Sequence, residues 1–220
     1  ISNLDVNSFF VFSGLGESTK NNPEDYKLFY HQVPVNPEKE NSEVKLYRHD
    51  TVHNMYGGLM TKAAGEELNK ICEKRTLLYS RASYIGSHRY GGIWTGDVNS
   101  WWTHLEQQIK MLPSLNMCGF LYVGSDIGGF SYDTSRDLVL RWTALGVFTP
   151  LMRNHSANYT RRQECFNFEN PQDFKSMLDF RYSFIPYLYS EYIKAAVNNN
   201  MLFKPLCFEF SDDNIAAETE

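Results

Sequence analysis

The chain has 220 residues, 42% of them hydrophobic, 15% aromatic and 21% charged, with a formal net charge of −5 at pH 7. That composition belongs to a folded globular protein and excludes a disordered tail. The mildly acidic balance, without a dense Lys/Arg tract, argues against nucleic acid or a membrane as partner, and no apolar run approaches the ~20 residues of a transmembrane helix.

Residues 1–50 mix aromatic clusters (Phe9, Phe10, Phe12, Phe29, Tyr30) with polar, turn-rich stretches at residues 20–24 and 37–42, and read as an irregular insertion. From Val52 the apolar spacing becomes helical. Val52, Met55, Tyr56, Leu59, Met60, Ala63, Ala64, Leu68, Ile71 and Cys72 recur at i, i+3, i+4, predicting a helix with one stripe buried against a sheet. A short apolar run at residues 77–81 follows, then a strand and glycine-hinged turn over 91–97. The next helix, from about Ser100 to Leu112, should turn Trp101, Leu105, Ile109 and Leu112 inward and end at Pro113.

Residues 118–123 read as a fully buried strand, ended by Gly124-Ser-Asp126-Ile-Gly-Gly-Phe130. Thr134-x-x-Asp137 has the form of a capping box for a helix bearing Leu138, Trp142 and Leu145. Another strand is predicted at 147–151, with Arg153-Asn-His155 just beyond it. Asn170-Pro171 opens a long aromatic-rich helix in which Pro186 predicts a kink, and residues 202–210 read as a last strand.

Cys72, Cys118, Cys165 and Cys207 form no Cys-x-x-Cys pair, so buried free thiols are expected, not a zinc site or a redox dithiol. The histidines, among them His53, His88 and His104, lack metal-ligand spacing, and no metal or cofactor is expected. The protein is expected to be cytoplasmic, with Asn154-His-Ser and Asn158-Tyr-Thr as chance glycan sequons.

Strands alternating with helices, each strand ending in a polar loop, predict an α/β fold with a parallel sheet covered by helices. Arg81, Asp97, Asp126 and His155 then gather at four carboxyl strand ends, as in a (β/α)-barrel active site. The length falls short of the about 250 residues of a whole barrel. Asp97 stands out. It lies in Trp94-Thr-Gly-Asp97 ahead of Trp101 and Trp102, and a carboxyl held against aromatic surface loses hydration, which disfavours its ionised form and keeps a proton for a leaving group. A lone Asp in a Gly-Asp turn more often serves the turn; its companion loops favour the general acid.

Ser80-Arg81, Trp94-Thr-Gly-Asp97, Gly124-Ser-Asp126-Ile-Gly-Gly-Phe130 and Arg153-Asn-His155, in this order and spacing, resemble glycoside hydrolase family 31, and within it the bacterial α-glucosidases. The resemblance extends from Arg48-His-Asp-x-x-His-Asn-x-Tyr-Gly to Lys204-Pro-Leu-x-Phe-Glu-Phe. It implies that residues 51–200 are the second half of a (β/α)8 TIM barrel and residues 201–220 the start of a C-terminal β-domain. It also implies a retaining mechanism with Asp97 as acid/base, Arg81 and His155 binding sugar hydroxyls, and Trp94 and Phe130 walling the pocket. Asp126 matches a family-typical position suited to a supporting task. The residue after the acid/base, usually Asn in the family, is Val98 here, with Asn99 next.

The family nucleophile lies in a Trp-x-Asp-Met-Asn-Glu stretch that these residues lack, so the resemblance implies a further N-terminal portion upstream of Ile1. The expected function is hydrolysis of terminal α-linked glucose from oligosaccharides, the chain being inactive without its other half. An opened barrel exposes two sheet edges, so that half or a second copy of the chain is the expected protein partner. The alternatives are an α-xylosidase of the same family or a non-catalytic sugar-binding remnant. A nucleotide-binding α/β domain ranks last, for want of a Gly-x-Gly-x-x-Gly turn.

Overall fold

The computed structural model describes residues 25–28 and 30–218. Phe9, Phe10, Phe12, Phe29 and the turn at residues 20–24 lie outside them. The chain divides between Tyr56 and Gly57 into two compact units.

In the first unit, the supposedly irregular insertion contains an antiparallel hairpin. Strand β1 (Tyr30–Pro34) pairs with β2 (Val44–Arg48), Tyr30 opposite Arg48 and Pro34 opposite Val44. Its connection is tied by Val35 N–H to the Glu43 carbonyl (2.8 Å) and by Asn36 N–H to the Ser42 hydroxyl (2.8 Å). Helix α1 (His49–Ile71) follows directly, its residues from Gly57 on belonging to the second unit.

The second unit holds the parallel strands. β3 (Tyr79–Ser80), β4 (Gly92–Trp94) and β5 (Val123–Gly124) form one sheet in that order, and β6 (Asp126–Ile127) pairs with β7 (Arg153–Asn154) in another. All three pairings are parallel, with Ile93 opposite both Ser80 and Val123, and Asp126 opposite Arg153. Helix α2 (Trp102–Met117) connects β4 to β5, and α3 (Arg136–Gly146) connects β6 to β7. After β7 come α4 (Pro171–Asn198), α5 (Leu206–Glu209) and α6 (Asn214–Glu218). The core gathers Val98, Leu105, Ile127, Leu138, Val139, Trp142, Phe168 and Phe174 on the β6 side. Leu112, Phe120 and Val123 form a smaller cluster.

Several elements differ from their sequence expectation. The apolar stripe of α1 is not its packing face: Met55, Leu59, Met60 and Ile71 are exposed. The helix approaches its neighbours through glycine instead, since a Cβ at Gly57 would lie 2.6 Å from the Ala82 carbonyl oxygen. Helix α2 buries Leu105 and Leu112 but leaves Trp101, at its N-cap, and Ile109 exposed. It also runs past Pro113 to Met117. Its last turn is held by the buried Asn116, whose amide donates to the Phe120 carbonyl (2.9 Å) and accepts from Leu202 N–H (3.0 Å) and Phe203 N–H (2.8 Å).

Those two bonds tie residues 202–203 to a side chain and not to a neighbouring strand. Pro205 then caps α5, so the strand expected at 202–210 is a short helix. The strand expected at 118–123 begins only at Val123, because Gly119 (φ +90°) and Phe120 N–H, bonded back to Leu115 (3.0 Å), complete the exit turn of α2. Likewise residues 147–149 bond back into α3, and the strand after it starts at Arg153, not Val147. Ser135, not Thr134, caps α3, its hydroxyl accepting from Leu138 N–H (3.3 Å). The four cysteines are free but not buried: Cys72 and Cys118 are exposed, Cys165 and Cys207 half-buried.

Candidate functional site

The candidate site residues lie at or just past β3, β4, β6 and β7: Trp94 ends β4, Asp126 opens β6, and Arg81, Asp97, Phe130 and His155 stand on the loops that follow. Arg81 follows β3 directly, and its guanidinium donates to Asp97, three residues past β4, at 3.1 Å. Gly96 makes this pairing possible. Its φ of +84° suits only glycine, and a Cβ there would lie 2.7 Å from Arg81 Nε. The Arg81 and Asp97 side chains are 59% and 46% exposed. Among the described residues it is the Arg81 guanidinium, not an aromatic ring, that the Asp97 carboxylate meets.

The Asp97 loop is fastened from behind. Val98, only 8% exposed, packs into the main core, and its carbonyl accepts from Phe130 N–H (2.7 Å) and Ser131 N–H (3.2 Å). Ser100 N–H bonds the Ser131 carbonyl (2.8 Å). Gly129 permits the contact, since with φ +88° its Cβ would stand 2.5 Å from the Ser100 backbone. Val98 thus anchors this loop by apolar burial and through its peptide. Phe130 reaches the loop after β7 as well: its carbonyl accepts from Ala157 N–H (2.9 Å), and its ring lies 5.3 Å from that of His155.

A second carboxylate lies deeper. Asp126, 1% exposed, pairs with Arg153 directly across the β6–β7 register. Burial pushes the Asp126 carboxyl up from its ordinary value; the Arg153 guanidinium, by hydrogen bond and charge, pulls it back without cancelling the rise, and the charge of Asp97 adds to it. Arg153 also donates to the Tyr79 hydroxyl (3.2 Å) and stands 5.6 Å from the ring centres of both Tyr79 and Trp94, themselves edge to face at 6.0 Å. Trp94 is thereby braced from β3 and β7 together.

Arg153 and Gln163 carry structural weight that reading the sequence residue by residue overlooks. Arg153 sits in the Arg-Asn-His run and only its opposition to Asp126 reveals its task. Gln163 gave no signal at all: the two N–H groups of its buried amide are shared among the carbonyls of Ile127 (2.8 Å), His155 (3.0 Å) and Gly129 (3.2 Å), binding the β6 and β7 loops together. Among the described residues, no group of three or more His, Cys, Asp or Glu side chains is placed to hold a metal ion. A groove of about 820 Å³, lined by Leu78, Gly92, Tyr122 and Tyr192 among others, opens at the amino ends of β3–β5, away from the charged loops.

Parallel strands with helical crossovers and ionisable side chains assembled at their carboxyl ends define a segment of a (β/α)-barrel, the site lying where such barrels place theirs. Residues 4–191 match the glycosyl hydrolases family 31 TIM-barrel domain, and the chain belongs to that family. It is 37% identical over 168 residues to alpha-glucosidase 2 of Bacillus thermoamyloliquefaciens, covering 75% of this chain. To the lysosomal alpha-glucosidase of Mus musculus it is 38% identical over 170 residues, 76% of the chain. It spans only 21% and 18% of the lengths of those two relatives. Among solved structures, a glucosidase II alpha subunit superposes with a TM-score of 0.74 at 29% identity, over 79% of this chain and 19% of that one. A family 31 α-xylosidase from a soil metagenome, complexed with xylose, gives 0.72 at 26% identity over 79% of this chain and 29% of its own.

Proposed function

We propose that this chain provides the acid/base half of the active site of a retaining α-glucosidase, which releases terminal α-linked glucose from oligosaccharides by double displacement. The observation that carries the reading is the exposed Arg81–Asp97 pair just past the ends of β3 and β4, with Phe130 hydrogen-bonded to the Asp97 loop and its ring against His155, in a chain related to α-glucosidases. In the first step Asp97 gives its proton to the glycosidic oxygen while a second carboxylate, on a segment outside these 220 residues, attacks the anomeric carbon. In the second step Asp97 takes a proton from the water that cleaves the resulting ester. Retention requires the two carboxyl groups about 5–5.5 Å apart.

Arg81, exposed and held by Asp97 alone among the described hydrogen bonds, is free to turn a guanidinium N–H towards an incoming hydroxyl. His155, exposed and set against Phe130, supplies a second polar contact beside an aromatic wall. The α-xylosidase neighbour supports a second reading, in which the sugar lacks its hydroxymethyl group.

The complete enzyme carrying this sequence, assayed on matched chromogenic α-glucosides and α-xylosides, separates the two. Faster hydrolysis of the glucoside, with α-glucose as the first product by NMR, is expected. Preference for the xyloside or an inverted product overturns the proposal, and sugar binding without hydrolysis of either points to the non-catalytic remnant.

A further inference from the structure

Two aromatic side chains near the acid loop have no part in the site described above. Trp101 and Tyr132 stack with ring centres 5.4 Å apart and planes inclined by 30°, and they are 46% and 58% exposed. Trp101 lies four residues past Asp97 on the same loop, and Tyr132 two residues past Phe130 on the loop fastened to it.

Tyr132 is also in an unfavourable conformation. Its φ is +69°, a left-handed backbone that a side chain with a Cβ rarely adopts and that glycine takes without penalty. Three contacts hold it there. The Tyr132 carbonyl accepts from the Ser100 hydroxyl (3.0 Å), the preceding carbonyl of Ser131 accepts from Ser100 N–H (2.8 Å), and the following Asp133 carboxylate accepts from Arg161 N–H (2.6 Å). A turn that would be more relaxed with glycine instead displays a tyrosine ring to solvent, against a tryptophan also held at the surface. Strain maintained in this way by surrounding bonds is characteristic of binding sites.

We infer that Trp101 and Tyr132 form a stacking platform for the sugar on the leaving-group side of the scissile bond. The inference rests on the reading of Asp97 as the proton donor. The acid delivers its proton to the leaving oxygen, so its loop borders the leaving group, and the apolar faces of a pyranose pack on exposed aromatic rings. Trp94 and Phe130, the rings assigned to the glucose side, are half-buried by comparison. The platform binds a neutral glycosyl unit and selects for substrates longer than a single sugar with a small leaving group.

Tyr132→Gly in the complete enzyme is the test, because glycine suits the backbone while removing the ring. The two substrates are maltotriose, whose leaving group is a sugar, and α-glucosyl fluoride, whose leaving group is not. The expected result is a fall of roughly tenfold in kcat/KM on maltotriose, no change on the fluoride, and a melting temperature at least as high as that of the wild type. Equal kinetics on maltotriose, or an equal fall on both substrates with the fold intact, overturns the inference. A wild-type enzyme that hydrolyses neither substrate overturns the α-glucosidase reading, and the inference with it. Should the glycine variant melt early, Trp101→Ala is judged by the same two substrates and the same outcomes.

Discussion

Two Asp–Arg pairs lie at neighbouring strand ends, Asp97 with Arg81 and Asp126 with Arg153, and their surroundings separate them. The first bridges β3 and β4 in the open, with both side chains about half exposed. An exposed pair of this kind is worth about 0.2–1 kcal/mol, since water and salt compete for both charges. Its partners are available to a ligand. The second joins β6 to β7 with its carboxylate out of water, and separating it would leave a buried charge unpaired. The same pairing of side chains thus gives an open pair in one place and a buried brace in the other. Arg153 connects the two regions, holding Asp126 on one side and the Tyr79–Trp94 rings on the other.

The sharpest way to break this contrast is Asp97→Asn in the complete enzyme. Turnover on substrates with poor leaving groups is expected to fall on the order of 10²–10⁴-fold, activated leaving groups to suffer much less, and the melting temperature to stay near that of the wild type. Equal loss on both substrate kinds would count against the proton-donor role. Next in size is Arg153→Met, expected to cost about 3–5 kcal/mol of stability because Asp126 is left buried without a counter-charge. Adding Asp126→Asn should restore most of the melting temperature, the signature of a coupled pair; a double variant as unstable as the single one would mean that Arg153 acts mainly by packing on Tyr79 and Trp94. Smallest is Arg81→Ala. It should weaken transition-state binding by about 1.5–3 kcal/mol for each charge-assisted hydrogen bond to a hydroxyl, read as a loss in kcat/KM, while stability changes by less than about 1 kcal/mol. A variant that unfolds while its native fraction keeps normal kinetics would make Arg81 the brace after all.

The parallel α/β plan was legible in the sequence because strand and helix periods alternate and the polar loops recur after each strand. Arg81 and Asp97, and Phe130 and His155, were expected together and do meet in pairs. What failed was local. The strands expected at 118–123 and 147–151 are apolar enough to read as buried, but burial by a helix's exit turn leaves the same composition as burial in a sheet. Thr134 and Ser135 are both capping residues, and only the backbone decides which hydroxyl reaches Leu138. The stripe on α1 misled because glycine, which carries no hydrophobic signal, makes the close contact there. Gln163 was invisible because its importance lies in three carbonyls brought to it by separate loops.

Gln163 has a consequence at the level of the gene. Its amide nitrogen faces three carbonyl oxygens, so that corner of the protein requires protons to give and has no use for an anion. Glutamate matches glutamine nearly atom for atom, yet it brings no N–H and adds a negative charge among lone pairs. Glutamine and glutamate codons differ only at their first base. A substitution that one transversion reaches, and that a similarity matrix scores as mild, is therefore one that this corner is poorly built to absorb, and a shorter side chain that leaves room for water would be the gentler change.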